Sequence, residues 1–336
     1  MKRFIDLADF SRDQVLDLLE LAQALQDSPQ PQALAGKVLG LVFFNPSLRT
    51  LASFQAGMAR LGGSSFVITP GQGTWLLETQ PHAIMKGAAA EHIREGIPVL
   101  ASYCDALGVR AFADGKSLEG DLNETLFRMI DGLCEKPLIN MESAMNHPCQ
   151  ALADWRTLDE IKVPTRAKFV LSWAYHPKAL PLAVPAATVH MAAMRGMEVV
   201  VLRPEGYALP EQIMEKARLA ARDAGGSVTE TNDRSAALSG ASVVYAKEWG
   251  TTAYYGDVEA DSRLRADLSD WCVRERWFDG ALPDAKLMHC LPVRRNVAVA
   301  DAILDGPRSL VKREAFNRLP VQMAVLHRML ASNPSV

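Results

Sequence analysis

Short apolar runs alternate with longer amphipathic segments along almost the whole chain, and this alternation limits the possible folds more than any other feature. Buried strands are expected over residues 37–44, 65–68, 106–111, 138–140, 168–173, 198–202, 243–246 and 286–289. Helical patterns fill the intervals, over 12–25, 53–61, 91–104, 124–134, 182–195, 210–224 and 234–238, with a last one over 313–330. Strand–helix–strand order of this kind calls for parallel pairing with helical crossovers, an α/β architecture. Gly225-Gly226 supplies the stop after the 210–224 helix.

The pattern runs twice, once before about residue 150 and once after, so two parallel-sheet α/β domains are expected. Pro164 and Thr165 precede a fresh strand, which puts the boundary between 150 and 165. The assignment is 1–150 for the first domain and 151–312 for the second, with the C-terminal helix, about 313–336, packing back on the first. A length of 336 residues is enough for two cores.

Composition removes several classes of function. Lys and Arg number 36 against 39 Asp and Glu, a net charge of −3 without the basic surplus of a nucleic-acid binder. Five scattered cysteines, none in a Cys-x-x-Cys pair, exclude a disulfide framework and a structural zinc site. No His-x-x-x-His occurs, so no metal is expected. The turn after 168–173 reads Ala-Tyr-His-Pro where a dinucleotide site needs glycines, so no cofactor and no dehydrogenase is expected either. The most apolar stretch, 169–201, is broken by His176, Lys178, His190 and Arg195, and the N-terminus lacks a signal-peptide core. A cytoplasmic protein with no membrane partner is the expectation.

Three clusters at strand ends can carry chemistry. After the first strand, Asn-Pro-Ser47-Leu-Arg-Thr50 leads into a helix, and such a turn aims unpaired backbone N–H groups at an anion. Ser47 and Thr50 add hydroxyls and Arg49 a guanidinium fork. The alternative is that Ser47 only caps the helix while Arg49 faces solvent. The second cluster, His147-Pro-Cys-Gln150, follows the strand at 138–140 and the carboxylate Glu142. Ligands bind at such strand ends in open parallel sheets, although a His before Pro also serves simply as a loop cap. The third is His289-Cys-Leu-Pro-Val-Arg294, where Cys290 is a nucleophile, a ligand or a buried thiol; neighbouring arginines would favour its thiolate. Arg110, His176 and Lys247 also directly follow apolar strands. Six strand ends with Arg, His or Lys point to one anion-binding site.

These three motifs, in this order and spanning most of the chain, resemble the transcarbamylase family. The resemblance implies two parallel α/β domains, a homotrimer with active sites shared between subunits, and carbamoyl transfer from carbamoyl phosphate to an amine without a cofactor. By position, Ser47, Leu48 through its backbone, Arg49 and Thr50 would hold the phosphate. Arg110, His147 and Gln150 would grip the carbamoyl carbonyl and phosphate, and Cys290, Leu291 and Arg294 would line the reacting centre. The catalytic set is then Arg49, Arg110, His147, Cys290 and Arg294, stabilising an oxyanion rather than forming a covalent intermediate.

Within the family, Tyr245-Ala-Lys-Glu-Trp249 stands where ornithine transcarbamylases carry Asp-x-x-x-Ser-Met-Gly, a cation in place of an anion. That stretch resembles the N-acylornithine carbamoyltransferases of arginine biosynthesis, as do Trp75, Met141-Glu142 and Trp173-Ala-Tyr-His-Pro. Trp75 would reach into the neighbouring subunit's carbamoyl phosphate site, Glu142 would hold the acceptor's polar end, and His176, Lys247 and Arg294 its carboxylates. The acetyl-specific pattern has a Glu where this chain has Ala90 and a carboxylated Lys where it has Ala298. Losing two carboxylates leaves room for a succinyl group, and Lys247 could pair with its charge. The resemblance therefore favours N-succinylornithine as acceptor over N-acetylornithine.

The chain departs from the family at the phosphate loop, where Leu51 replaces an arginine, and in Met85-Lys-Gly-Ala88, where the family has Met-Asp-Gly-Asp. Lys86 would partly replace the missing cation; Leu51 as a helix-packing residue is the plainer alternative. Leu51 also leaves open a non-catalytic paralogue that binds a small anion.

Overall fold

In the computed structural model, which describes residues 1–331, every strand pair among the described residues is parallel. The chain divides into two compact units. One takes Met1–Ala113, Gly120–Cys149 and the chain from Arg318; the other takes Asp114–Glu119 and Gln150–Asn317.

In the first unit lie β1 (Arg3–Phe4), β2 (Val38–Phe43), β3 (Ser64–Ile68), β4 (Leu77–Glu78), β5 (Glu91–His92), β6 (Ala106–Arg110) and β7 (Leu138–Glu142). Five of them form one sheet in the order β1-β7-β6-β2-β3, while β4 and β5 pair as a separate ribbon. Central strands of such a sheet are covered on both faces, which is why β2, β6 and β7 read as unbroken apolar runs. One face packs Val42, Leu107, Val109 and Leu138 against Ile93 and Ile97 of the Ile93–Ser102 helix and Phe127 and Ile130 of the Thr125–Leu133 helix. Gly40 is required in β2, because a Cβ there would sit 2.8 Å from the Phe66 ring and 2.9 Å from Leu107.

The second unit holds β8 (Lys168–Trp173), β9 (Glu198–Leu202), β10 (Ser227–Thr231), β11 (Val243–Lys247) and β12 (Lys286–Met288), in the order β10-β9-β8-β11-β12. The Glu211–Ala224 helix ends at Gly225, whose φ of 73° lets it close the helix in the left-handed region. Four buried tryptophans gather here; Trp173 lies 4.7 Å from Tyr207 and 5.8 Å from Trp271, and its indole N–H donates to Trp249 O.

The expected strands all form, with ends shifted by a residue or two. Four further strands carry no clear signal: β1, β4 and β5 have two residues each, and β10, Ser-Val-Thr-Glu-Thr, is a half-exposed edge strand. The Pro148–Glu160 helix is buried along most of its length, so it has no amphipathic stripe to read. Residues 114–119, placed by the sequence in the first domain, group with the second unit, where Lys116 O lies 2.8 Å from a Cβ built on Gly256. The opening turns of the Val311–Leu330 helix also group there: Glu314 accepts from His289 N–H, and Asn317 donates to Thr157 and Glu160. No described helix is long and apolar enough to cross a membrane.

Candidate active site

Each unit presents functional side chains at the C-terminal ends of three adjacent strands. In the first unit these are β2, β6 and β7. Beyond β2 the chain turns at Ser47, which caps the Leu48–Arg60 helix: its Oγ accepts from Thr50 N–H at 3.3 Å and donates to Thr50 Oγ1 at 3.0 Å. Ser47 thus performs the capping that was its alternative role, and the cap builds the anion-binding turn. Leu48 points outward, 81% exposed, while Thr50 is buried. Leu51 is half-buried.

Arg110 ends β6, paired in register with Phe43 of β2 and Glu142 of β7. Its guanidinium lies over the Phe112 ring at 4.5 Å and forms a buried ion pair with Glu142. His147 Nε2 is 3.3 Å from the same Glu142 carboxylate. Glu142 is therefore the counter-ion of Arg110 and also lies beside the His147 ring. Arg110 Nε and His147 Nδ1 are buried with no hydrogen-bond partner among the described residues. Polar atoms of this kind beside the anion-binding turn can take up a polar ligand.

A residue that the motifs did not single out completes this cluster. Arg318 is 3% exposed and donates from Nη2 to Thr50 Oγ1 at 2.9 Å. Burial first, then the nearby Arg110 and Arg49, lowers its pKa, which places the three guanidinium groups close together. His147 is held well below the ordinary histidine range by burial first, then by Arg318, Arg110 and Arg49. It is a neutral imidazole at pH 7. Three guanidinium groups gathered around one turn make the place attractive to an oxyanion. The only available sequence signal is that Glu314, Arg318 and Gln322 recur every fourth residue, setting a buried polar stripe where an apolar one would be expected.

Trp75 and Ala90 lie just before the two strands of the β4–β5 ribbon. Trp75 is 60% exposed, and its indole N–H donates to Glu91 at 2.8 Å. Ala90 and Lys86 are exposed, and Lys86 has no ion pair among the described residues.

In the second unit the corresponding strands are β8, β11 and β12. His176, beyond β8, accepts from Arg294 Nε at its Nε2 (2.8 Å). Its Nδ1 lies 2.8 Å from Lys178 O and 3.0 Å from Lys178 N. Arg294 is thus oriented by His176. Lys247 ends β11, and its ammonium pairs with Glu248 at 2.9 Å. Glu248 also meets His289 Nε2 at 3.2 Å. Burial alone would raise its pKa, but Lys247 and His289 hold it well below the usual carboxylate range. Lys247 thus has a counter-ion within the fold. Leu291 N–H donates to His289 Nδ1 at 2.9 Å, which fixes that ring's tautomer.

Cys290 is buried, and burial pushes its thiol up to about 12. Neighbouring arginines do not offset this, because Arg295 is turned outward onto Asp301 and Asp305. The thiolate nucleophile left open by the sequence is excluded at neutral pH. Gln150 donates to Asp154 at 2.8 Å and Glu314 at 3.3 Å, inside a buried carboxyl cluster that also takes Tyr245 OH. Ala298 is fully buried, its N–H on Arg294 O.

Comparison with known proteins also finds two parts. Residues 2–160 match the family model described as aspartate/ornithine carbamoyltransferase, carbamoyl-P binding domain, and residues 184–329 match the Asp/Orn binding domain of the same family. An N-acetylornithine carbamoyltransferase of Xanthomonas campestris pv. campestris is 36% identical, covering 99% of both chains. An N-succinylornithine carbamoyltransferase of Bacteroides fragilis is 38% identical, covering 89% of both. A solved glutamate-to-alanine mutant of N-acetyl-L-ornithine transcarbamylase, complexed with carbamyl phosphate and N-succinyl-L-norvaline, superposes with a TM-score of 0.93 at 37% identity, covering 98% of this chain and all of that one.

Proposed function

The chain belongs to the aspartate/ornithine carbamoyltransferase family, and on that premise we propose that it moves the carbamoyl group of carbamoyl phosphate to the side-chain amine of an N-acylated ornithine, with N-succinylornithine preferred. The observation that carries the reading is the first unit's cluster, in which Arg49, Arg110 and Arg318 lie close to a buried neutral His147, with Arg318 on the Thr50 hydroxyl and Arg110 on Glu142.

In this reading the N–H groups of the 47–50 turn and the three guanidinium groups hold the phosphate. The uncharged His147 donates its one ring N–H to the carbamoyl oxygen. Attack by the amine forms a C–N bond and leaves that oxygen negative; the C–O bond to phosphate then breaks, and the amine's proton departs with phosphate. Donors already fixed around the developing charge lower the barrier without having to reorganise. No enzyme nucleophile is needed, in keeping with a Cys290 thiol near 12. His176 and Arg294 would meet an acceptor carboxylate, with Leu291, Lys247 and Gln150 shaping and supporting the site.

Two alanines support succinyl over acetyl. Ala90 stands where the acetyl-specific pattern has Glu, and a glutamate-to-alanine mutant of the acetyl enzyme has been solved with a succinyl ligand. Ala298 stands where that pattern has a carboxylated lysine. Removing two anions lifts the repulsion against a second acceptor carboxylate. The near-equal identity to both relatives keeps N-acetylornithine as the second reading. Trp75 would contribute to a neighbouring subunit's site in a homotrimer, and the reaction would sit in cytoplasmic arginine synthesis. Citrulline-forming assays with N-succinyl-, N-acetyl- and free ornithine test the choice: a higher kcat/KM for the acetyl substrate overturns the succinyl preference, and turnover of none returns the chain to a small-anion binder.

A further inference from the structure

His147 follows directly on a four-residue connection, 143–146, that leaves β7 after Glu142 and has no regular structure of its own. Four residues without a ladder would not ordinarily hold an imidazole still. What holds them is a side chain from elsewhere in the same unit. Glu124 takes a hydrogen bond from Ser143 Oγ at 2.6 Å, from Met145 N at 2.9 Å and from Asn146 Nδ2 at 3.0 Å on one oxygen, and from Ala144 N at 3.0 Å on the other. Every residue of the connection is tied to one carboxylate.

Three features show that this arrangement is specific. Glu124 sits at the N-cap of the Thr125–Leu133 helix but makes no cap bond there; its carboxylate is turned to the connection instead. Its backbone is left-handed, with φ 52°, a conformation disfavoured for any residue with a Cβ. All four partners are donors, so a carboxylate matches them fully, whereas an amide would turn a donor of its own toward one of them. The network continues inward: Asn140 Nδ2 donates to Ser143 Oγ at 2.8 Å and to Ile5 O at 3.1 Å, which anchors the connection to the floor of the sheet.

We propose that Glu124 is a positioning residue for carbamoyl transfer, holding the 143–146 connection so that His147 is presented to carbamoyl phosphate in one orientation. The inference rests on the proposed function and deepens it. Glu124 touches neither substrate; it acts through His147, and a displacement of about 1 Å at such a group costs about 100-fold in rate.

The test is a double-mutant cycle of Glu124→Ala and His147→Gln in the full-length protein, read by kcat with the preferred acceptor and by calorimetric binding of carbamoyl phosphate alone. Glu124→Ala in the wild-type background is expected to lower kcat by about 100-fold and to weaken carbamoyl phosphate binding, with the acceptor KM unchanged. In the His147→Gln background the same substitution is expected to cost little more, because the group it positions has already gone. A full additional loss in that background overturns the proposal, as does a folded Glu124→Ala protein with wild-type kcat and binding. Glu124→Gln, which keeps the side-chain volume, carries the same cycle if the alanine variant does not fold. Should the wild-type protein carbamoylate no acceptor, the functional reading fails, and the binding arm of the cycle still decides the role of Glu124.

Discussion

Arg318 donates to the hydroxyl of Thr50 across 268 residues of sequence, and this one bond joins the C-terminal helix to the anion-binding turn. Thr50 Oγ1 also accepts from Ser47, so the turn stays capped when Arg318 is removed, and the guanidinium's contribution can be isolated. Arg318→Met keeps most of the apolar stem and removes one of the three cations. It is expected to lower kcat/KM for carbamoyl phosphate by about 100- to 1,000-fold, the scale for losing a preorganised donor, with the acceptor KM nearly constant. Initial-rate kinetics at saturating acceptor check this.

The depressed pKa of His147 makes a pH prediction whose sign is fixed. The folded state refuses a proton that the unfolded state accepts near 6.5, so stability is full above 6.5 and falls as pH drops below it. His176 is lowered in the same direction, again by burial. The activity profile should show no inflection from His147 between pH 6.5 and 8. Melting curves from pH 8 to 5 should show a smaller acid loss in His147→Gln than in the wild type. An equal loss in both proteins would mean that His147 titrates normally.

All five cysteines are buried and free, and burial raises each thiol, with Cys149 and Cys290 near 12. Thiol titration with a disulfide reagent at pH 8 should therefore find almost no fast-reacting group in the native protein and five after denaturation. Prompt labelling of Cys290, located by peptide mapping, would contradict the burial argument and reopen a thiolate role.

Why the sequence revealed β2, β6, β7, β8, β11 and β12 and yet left several pairings around the site unread follows from how each signal arises. Strands buried on both faces declare themselves through local composition, and parallel pairing then brings their C-terminal ends together, so Arg110, His147 and His176 could be found by position alone. Pairing between distant residues leaves no local trace, which is why Arg318 and the Arg110–Glu142 pair went unread. The Lys247–Glu248 pair went unread for a nearer reason. Strand alternation would turn Glu248 to the opposite face, but β11 ends at Lys247, and past that point the chain is free to bring both charges together. Glu124 was legible only as a residue near a helix start; its service to a connection some twenty residues on depends on a left-handed backbone that no periodicity reports.

Acceptor choice can be pressed at a single exposed position. Ala90 lies just before β5, beside Glu91, which accepts from the Trp75 indole, and its own N–H donates to Leu76 O. Ala90→Glu adds a carboxylate without disturbing that backbone bond. A second anion near a succinyl carboxylate is a repulsive element against one substrate only, so the succinyl-to-acetyl ratio of kcat/KM should fall by about tenfold or more. Parallel assays of the two acceptors measure it; an unchanged ratio would place Ala90 away from the acyl group.

The buried carboxyl cluster of the second unit predicts a pH effect of its own. Glu314 is pushed well above the ordinary carboxylate range by burial first and then by the charge of Asp154, to which it is hydrogen-bonded, so it holds its proton in the fold. It also takes His289 N–H at 2.9 Å, so the same neutral side chain supports the start of the His289–Arg294 segment. An acid whose folded pKa is raised contributes stability that is complete below its unfolded value near 4.5 and declines as pH rises toward the folded one. Glu314→Gln keeps the volume, a donor for Asp154 and an acceptor for His289 N–H, but it cannot ionise in the unfolded chain. The melting temperature of the variant minus that of the wild type should therefore increase steadily from pH 5 to 8. Glu314→Ala lacks both bonds and leaves His289 N–H buried and unpaired, a loss of about 1–3 kcal/mol from that group alone, so it should be destabilised across the whole range. A glutamine variant whose deficit is constant with pH would show that Glu314 is charged in the folded protein and that Asp154 carries the shared proton instead.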